Sequence, residues 1–190
     1  INFNIEHIEI LKEVYLNFDN KQIQNIYHQG FNEITNINLF TNLKKLDLEF
    51  NRSIKDCHIN NLYSLEKLSL PRNKLLTNKG IINLIKLKYI DLSFNKNINN
   101  EAIQNKTNLE YLKLIHNKKI NDDAFINIRT LKYLNLGYNN NRKLNLNFLK
   151  YNNNIEEVIL FRKKNLSEDV KNILRNLKNV LCLDLQYILY

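Results

Sequence analysis

The chain has 190 residues, 44% of them hydrophobic, and a formal net charge of +9. That is enough chain for one domain with a sizeable core, and too apolar a chain for a disordered tail. No apolar run approaches the roughly 18 to 20 residues of a membrane span, and Glu6 and Glu9 break up the first ten residues, which do not resemble a leader peptide. The charge favours acidic partners, although a Lys-rich chain also uses lysine simply to solvate its surface. There are 37 Asn against 3 Gly and 1 Pro, the bias of AT-rich coding DNA. Asn139 to Asn141 and Asn152 to Asn154 are short runs between strand-like segments and read as loops.

In chain order, residues 1 to 10 alternate Ile1, Phe3, Ile5, then Ile8, Ile10, which predicts a cap over whatever follows. A strand-like segment, LKEVYLNFD, begins at Leu11, and an irregular stretch with an insertion is expected within 20–42. Then a fixed period sets in. LKKLDLEFN from Leu43, LEKLSLPRN from Leu65, LKYIDLSFN from Leu87, LEYLKLIHN from Leu109 and LKYLNLGYN from Leu131 follow one another without a gap, always at the interval from Leu43 to Leu65. IEEVILFRK from Ile155 and VLCLDLQY from Val180 continue at a stretched spacing. Within each segment the alternation, as in Leu46 and Leu48, puts apolar side chains on one face of a short strand.

The second half of each unit repeats as well. Ile54, Leu76, Ile98 and Ile120 stand three residues after the Asn, and Ile59, Ile81, Ile103 and Phe125 stand eight after it. Leu62, Leu84, Lys106 and Ile128 stand eleven after it, with Gly80, Ala102 and Ala124 just before the middle set. These spacings suit a tight helical or 3₁₀ turn packed on the strands. Lys106 alone breaks the pattern, with its stem expected to snorkel outward. Ser167, Glu168 and Asp169 open an apolar helical face of Val170, Ile173, Leu174 and Leu177, predicting a helix over about 168–178. The chain ends at Ile188, Leu189, Tyr190, directly after a strand, so that edge is expected to be truncated, dimeric or covered.

The unit L-x-x-L-x-L-x-x-N, in five registered copies with Asn51, Asn73, Asn95, Asn117 and Asn139, resembles the leucine-rich-repeat family over nearly the whole chain. The resemblance implies an α/β fold: a right-handed leucine-rich-repeat solenoid, or horseshoe. It would have a parallel concave sheet of about eight strands and a convex side of 3₁₀ turns and short helices. Residues 1–190 are then one domain, with 1–10 as the N-terminal cap and about eight repeats over 11–187. The Asn amides are expected to bond the backbone of neighbouring coils, since a buried amide without partners is costly. Lys163 and Ile188 replace Asn in the last two units, where that ladder should lapse.

On the concave face, equivalent positions form columns along the stack. One runs Glu13, Lys45, Lys67, Tyr89, Tyr111, Tyr133, Glu157, Cys182; the next runs Tyr15, Asp47, Ser69, Asp91, Lys113, Asn135, Ile159, Asp184. Beyond them, before the Asn, stand Phe50, Phe94, His116 and Tyr138. Aromatics flanked by mixed charge make Tyr89, Tyr111, Tyr133, Asp47, Asp91, Lys113, His116, Tyr138 and Ile159 the candidate contacts for a protein or peptide. The competing reading is that tyrosines suit strands and merely stack on one another. A second ladder, Arg52, Lys74, Lys96, Lys118 and, after Asn140, Lys164, makes a basic edge for an acidic polymer such as heparan-type glycan or RNA, or a solvated edge of no consequence.

No enzyme is expected: His7, His28, His58 and His116 show no metal-ligand spacing, and no Gly-rich phosphate loop or recognisable nucleophile is present. No cofactor is called for. Cys57 and Cys182 lie near opposite ends of the expected stack, too far apart for a disulfide. The expected function is a non-enzymatic interaction module. The composition and the start at Ile1 without Met tilt the reading towards a secreted, host-facing factor of a parasite, with an intracellular regulatory adaptor as the rival. A homodimer through the C-terminal edge is a further expectation.

Overall fold

A computed structural model describes residues 2–4, 24–29, 37–161 and 166–182. Among the described residues nine short strands lie in one parallel sheet in strict chain order: β1 (Asn2–Asn4), β2 (Asn25–Gln29), β3 (Lys45–Glu49), β4 (Lys67–Ser69), β5 (Tyr89–Asp91), β6 (Tyr111–Lys113), β7 (Tyr133–Asn135), β8 (Glu157–Leu160) and β9 (Asn179–Cys182). Parallel neighbours need a crossover. Between β3 and β8 each return leg carries one short helical turn: Asp56–Ile59 and Asn78–Ile81 are α-helical, while Asn100–Ala102, Asp122–Phe125 and Asn147–Tyr151 are 3₁₀. The strands are three to five residues long because only the L-x-L core of each unit alternates before the turn begins.

The core is a set of apolar columns running the length of the stack. Leu46, Leu68, Ile90, Leu112, Leu134 and Val158 form one on the sheet side, and Ile59, Ile81, Ile103 and Phe125 form another on the helical side, all fully buried. Each coil buries its apolar face only against its neighbours, so the stack is the smallest stable unit.

The middle of the chain folds in the expected register: Lys45, Lys67, Tyr89, Tyr111 and Tyr133 are successive partners. The ends do not. Leu11 to Asp19 lie outside the described residues, and the strand beside β3 is β2, with Asn25 against Lys45 and Tyr27 against Asp47. Within the stretch 20–42, where an irregular insertion is expected, residues 25–29 form β2 and Ile37–Leu39 a 3₁₀ turn, while 20–23 and 30–36 lie outside the described residues. Ile26 fills the slot of Leu46, and Ile37, Phe40 and Leu43 are buried as well. β1 pairs in parallel with β2, Asn2 against Asn25. At the other end Asn179, not Cys182, partners Glu157, and Leu181, not Asp184, partners Ile159, a three-residue shift. The helix there spans Glu168–Asn176, capped by Ser167, whose side chain accepts from the Val170 N–H. Leu177 is already extended and leads straight into β9. Lys163, Lys164 and residues 183–190 lie outside the described residues.

Lys106 does not snorkel. It is fully buried, its Nζ donates to the Ile82 carbonyl at 2.9 Å, and burial pushes the amine down to about 8.

Gly80 shows how closely the return legs pack. A Cβ there would lie 2.7 Å from Asp56 Oδ1 and 3.1 Å from the Asp56 Cα, and that carboxylate is occupied by the Thr77 N–H and hydroxyl. Gly80→Ala would raise helix propensity, yet overpacking outweighs that gain. The variant should lose about 1–2 kcal/mol, read as a lower melting temperature; a rise would show that the coil yields.

Candidate binding surfaces on the sheet and its edges

The turns after β3 to β7 share one backbone conformation. Phe50, Arg72, Phe94, His116 and Tyr138 have φ between 59° and 64°, a left-handed conformation that side chains of this size seldom adopt. It lets the next residue, the repeated Asn, point inward. All five of these Asn are buried. Asn73 donates to the Asn51 carbonyl and accepts from the Leu75 and Leu76 N–H groups. Asn95 and Asn139 donate to Leu70 and Leu114 in the coil before. At Asn117 neither amide atom has a protein partner, so the ladder is interrupted in mid-stack.

The Tyr column is a stack. The rings of Tyr89 and Tyr111 lie 4.4 Å apart and 8° from parallel, and those of Tyr111 and Tyr133 lie 3.9 Å apart and 4° from parallel. Their faces cover one another, as strand tyrosines that merely stack would do. What reaches outward is ring edges and hydroxyls. Lys67 closes the open end, 4.9 Å from the Tyr89 ring centre, while paired to Asp47 at 2.9 Å. Lys113 lies 5.5 Å from the Tyr111 ring centre. Burial pushes all three phenols up: Tyr89 far up, with Asp91 adding to it, Tyr111 less, and Tyr133 to about 12, helped by its hydrogen bond with Tyr111. The Asp91 carboxylate accepts from the Ser93 N–H and serves the turn. Ile159 is half-buried in the same column as Asp91 and Lys113. Of the nine candidate contacts, five lie in two aromatic files, Tyr89, Tyr111 and Tyr133 in one and His116 and Tyr138 in the other, while Asp47, Asp91, Lys113 and Ile159 share the next column of the sheet.

The second file follows the left-handed turn. Phe94 stacks on His116 at 4.9 Å, His116 on Tyr138 at 4.9 Å, and Tyr138 tilts against Phe161 at 5.3 Å; Arg72 covers the free face of Phe94 at 4.2 Å. Beside it stand Arg52, Lys74, Lys96 and Lys118, all exposed. Two clefts open between file and ridge. One of about 360 Å³ is lined by Arg52, Arg72, Lys74, Phe94, Lys96 and Asn97. The other, about 490 Å³, is lined by Phe94, Lys96, His116, Lys118 and Lys119.

Two features escaped the sequence reading. On the convex side, Asp56 holds Thr77, Asn78 bonds Asn99, Asn100 bonds Asn121, and Asp122 accepts from the N–H groups of Asn145, Leu146 and Asn147. The signal was an Asp or Asn recurring five residues after the ladder Asn. At the opposite rim, where the strands begin, charge alternates coil by coil: Lys44, Glu66, Lys88, Glu110, Lys132, Glu156, Lys178. Lys88 pairs with Glu66 at 2.9 Å, Lys132 with Glu110 at 2.6 Å and Lys178 with Glu156 at 3.7 Å. The coil beyond adds to this, as Glu110 holds Lys88 up and Lys88 lowers Glu110, in both cases after the direct partner.

No protein-family profile and no curated protein sequence matches the chain. Solved structures do. A leucine-rich-repeat protein of Leptospira interrogans superposes with a TM-score of 0.68 at 20% identity, over 95% of this chain and 54% of that one. An internalin of Listeria monocytogenes superposes with a TM-score of 0.64 at 21% identity, over 86% of this chain and 55% of its own. A plant peptide hormone receptor in complex with RGF2 gives 0.52 at 17% identity, over 85% of this chain and 32% of the receptor. The chain thus spans about half the length of the first two. Nine parallel strands in chain order, short helical returns and a buried Asn in successive turns agree with these neighbours, and the chain folds as a leucine-rich-repeat solenoid.

Proposed function

We propose that the chain is an interaction module, with no chemistry of its own, that seats a protein or peptide on the outer face of its sheet around Tyr89, Tyr111 and Tyr133. The observation that carries this reading is the Tyr stack itself. Its rings are ordered before any partner arrives, so binding there loses little side-chain freedom. The stack also presents hydroxyls beside Asp47, Lys67 and Lys113, the mixture of rigid aromatic and charge that concentrates interface energy. The plant receptor in complex with RGF2 has a solenoid of this fold, which is compatible with the same use of the sheet.

Peptides selected from a random display library on the immobilised chain provide the test. Affinity for the selected peptides should fall at least about tenfold, or roughly 1.4 kcal/mol, in Tyr111→Ala. The triple Tyr→Phe variant at 89, 111 and 133 keeps the stack and separates hydroxyl contacts from loss of shape. Selected peptides that bind wild type and both variants equally would remove the sheet face from consideration.

A further inference from the structure

We propose that the edge bearing Arg52, Lys74, Lys96 and Lys118 is a second binding site, for a linear sulfated polysaccharide. The site does not depend on the Tyr face. The rim where the strands begin alternates lysine with glutamate through seven coils, and ion pairs close it. This chain therefore can neutralise a rim. On the rim where the strands end, the position after the ladder Asn is Arg52, Lys74, Lys96 and Lys118 in four consecutive coils, and Arg72 and Lys119 lie beside them. Among the described residues, Lys74, Lys96, Lys118 and Lys119 enter no ion pair, and no carboxylate lines either cleft. Lysine used merely for solvation would not divide itself between the two rims in this way.

The aromatic file beside the ridge favours the same ligand. Phe94, His116 and Tyr138 stack along the solenoid axis, so their faces are covered, and Phe94 and His116 line the clefts with their edges. A ring edge carries the positive end of the quadrupole. Cations at about 4.8 Å intervals beside a floor of ring edges favour an anion at every step. The same covering of faces argues against single-stranded nucleic acid, whose binding draws on free aromatic faces for the bases. A polymer with anionic groups on successive sugars needs no ring face. The two clefts share Phe94 and Lys96, so one extended chain passes from one to the other.

Binding of a heparin octasaccharide and of single-stranded oligouridylate, measured by calorimetry over a salt series, tests the proposal. Heparin should bind the wild type, with affinity falling steeply as salt rises. The triple variant Lys74→Gln, Lys96→Gln, Lys118→Gln should bind at least tenfold more weakly, and its salt slope should drop by about two to three. The control is Lys44→Gln, Lys88→Gln, Lys132→Gln, which removes the same charge from the alternating rim. It should keep heparin affinity within about threefold, by the standing uncertainty of a small electrostatic change. Circular dichroism checks that both variants stay folded. Equal losses in the two triples would reduce the effect to net charge and overturn the site, as would no loss in either. Oligouridylate binding as tightly as heparin would overturn the choice of a sulfated sugar.

Discussion

Phe125→Ala should cost the solenoid about 3–5 kcal/mol, the range for emptying a fully buried aromatic site. Phe125 has no exposed surface, and its ring lies 4.0 Å from that of Phe148, 15° from parallel. Its column runs Ile81, Ile103, Phe125, with Phe148 beyond, so it is the point at which the helical side changes from aliphatic to aromatic packing. The lost ring contact adds about 0.5–1.5 kcal/mol to area alone, and the coil cannot collapse into the space because its turn is held by Asn121 and Asp122. In a stack where each coil touches only its neighbours, the damage should be local. Hydrogen exchange should show protection falling first between residues 100 and 151 and least around β3. Urea unfolding that gives a loss below about 1 kcal/mol, or exchange that rises evenly along the chain, would contradict this picture.

The second large effect has the opposite sign. Lys106→Ile should stabilise the chain by about 2 kcal/mol at neutral pH. Holding the amine at about 8 against an unfolded value near 10.4 costs at most about 3 kcal/mol, at 1.36 kcal/mol per unit. Removing it leaves the Ile82 carbonyl without its donor, which returns roughly 1 kcal/mol of that gain. Isoleucine then matches Ile128 and the leucines at 62 and 84. The pH dependence follows from linkage. The folded value lies below the unfolded one, so between about 8 and 10.4 the unfolded chain binds more protons and stability rises with pH. Below 8 both states are protonated and the penalty is fully present. Above 10 the raised phenols of Tyr89, Tyr111 and Tyr133 act the other way: the folded chain keeps protons the unfolded chain has lost, and stability falls. Wild type should therefore gain stability from pH 7.5 to 9.5, and Lys106→Ile should not. Parallel slopes in that window would mean that Lys106 is solvated in the folded chain.

What could be read from the residues alone divides along physical lines. The coils from Leu43 to Asn139 were legible because one spacing recurs and every apolar column depends on it. Register at the ends was not. In β2, NIYHQ offers a single aliphatic, Ile26, while LKEVYLNFD, which begins upstream at Leu11, looks more like the repeat. Near β9, Val180, Leu181, Leu183 and Leu185 satisfy more than one alignment, and the early end of the helix at Asn176 selects between them. Lys106 was misjudged because sequence spacing does not say whether a lysine stem has a way out. The Tyr column was visible, but whether its rings offer faces or edges depends on rotamers set by neighbouring coils. The alternating rim was legible in principle and fell outside the motif, one residue before the strand.

That rim has a consequence for how such a chain can lengthen or shorten. Because the sign flips at every step, the solenoid has a parity. Loss or duplication of one coil would place Lys beside Lys or Glu beside Glu at the junction, where the Coulomb term turns repulsive. Loss or duplication of two coils restores the order. The hydrophobic pattern of this molecule repeats with every coil, but its electrostatic pattern repeats only with every second one, and the pair of coils is its true period.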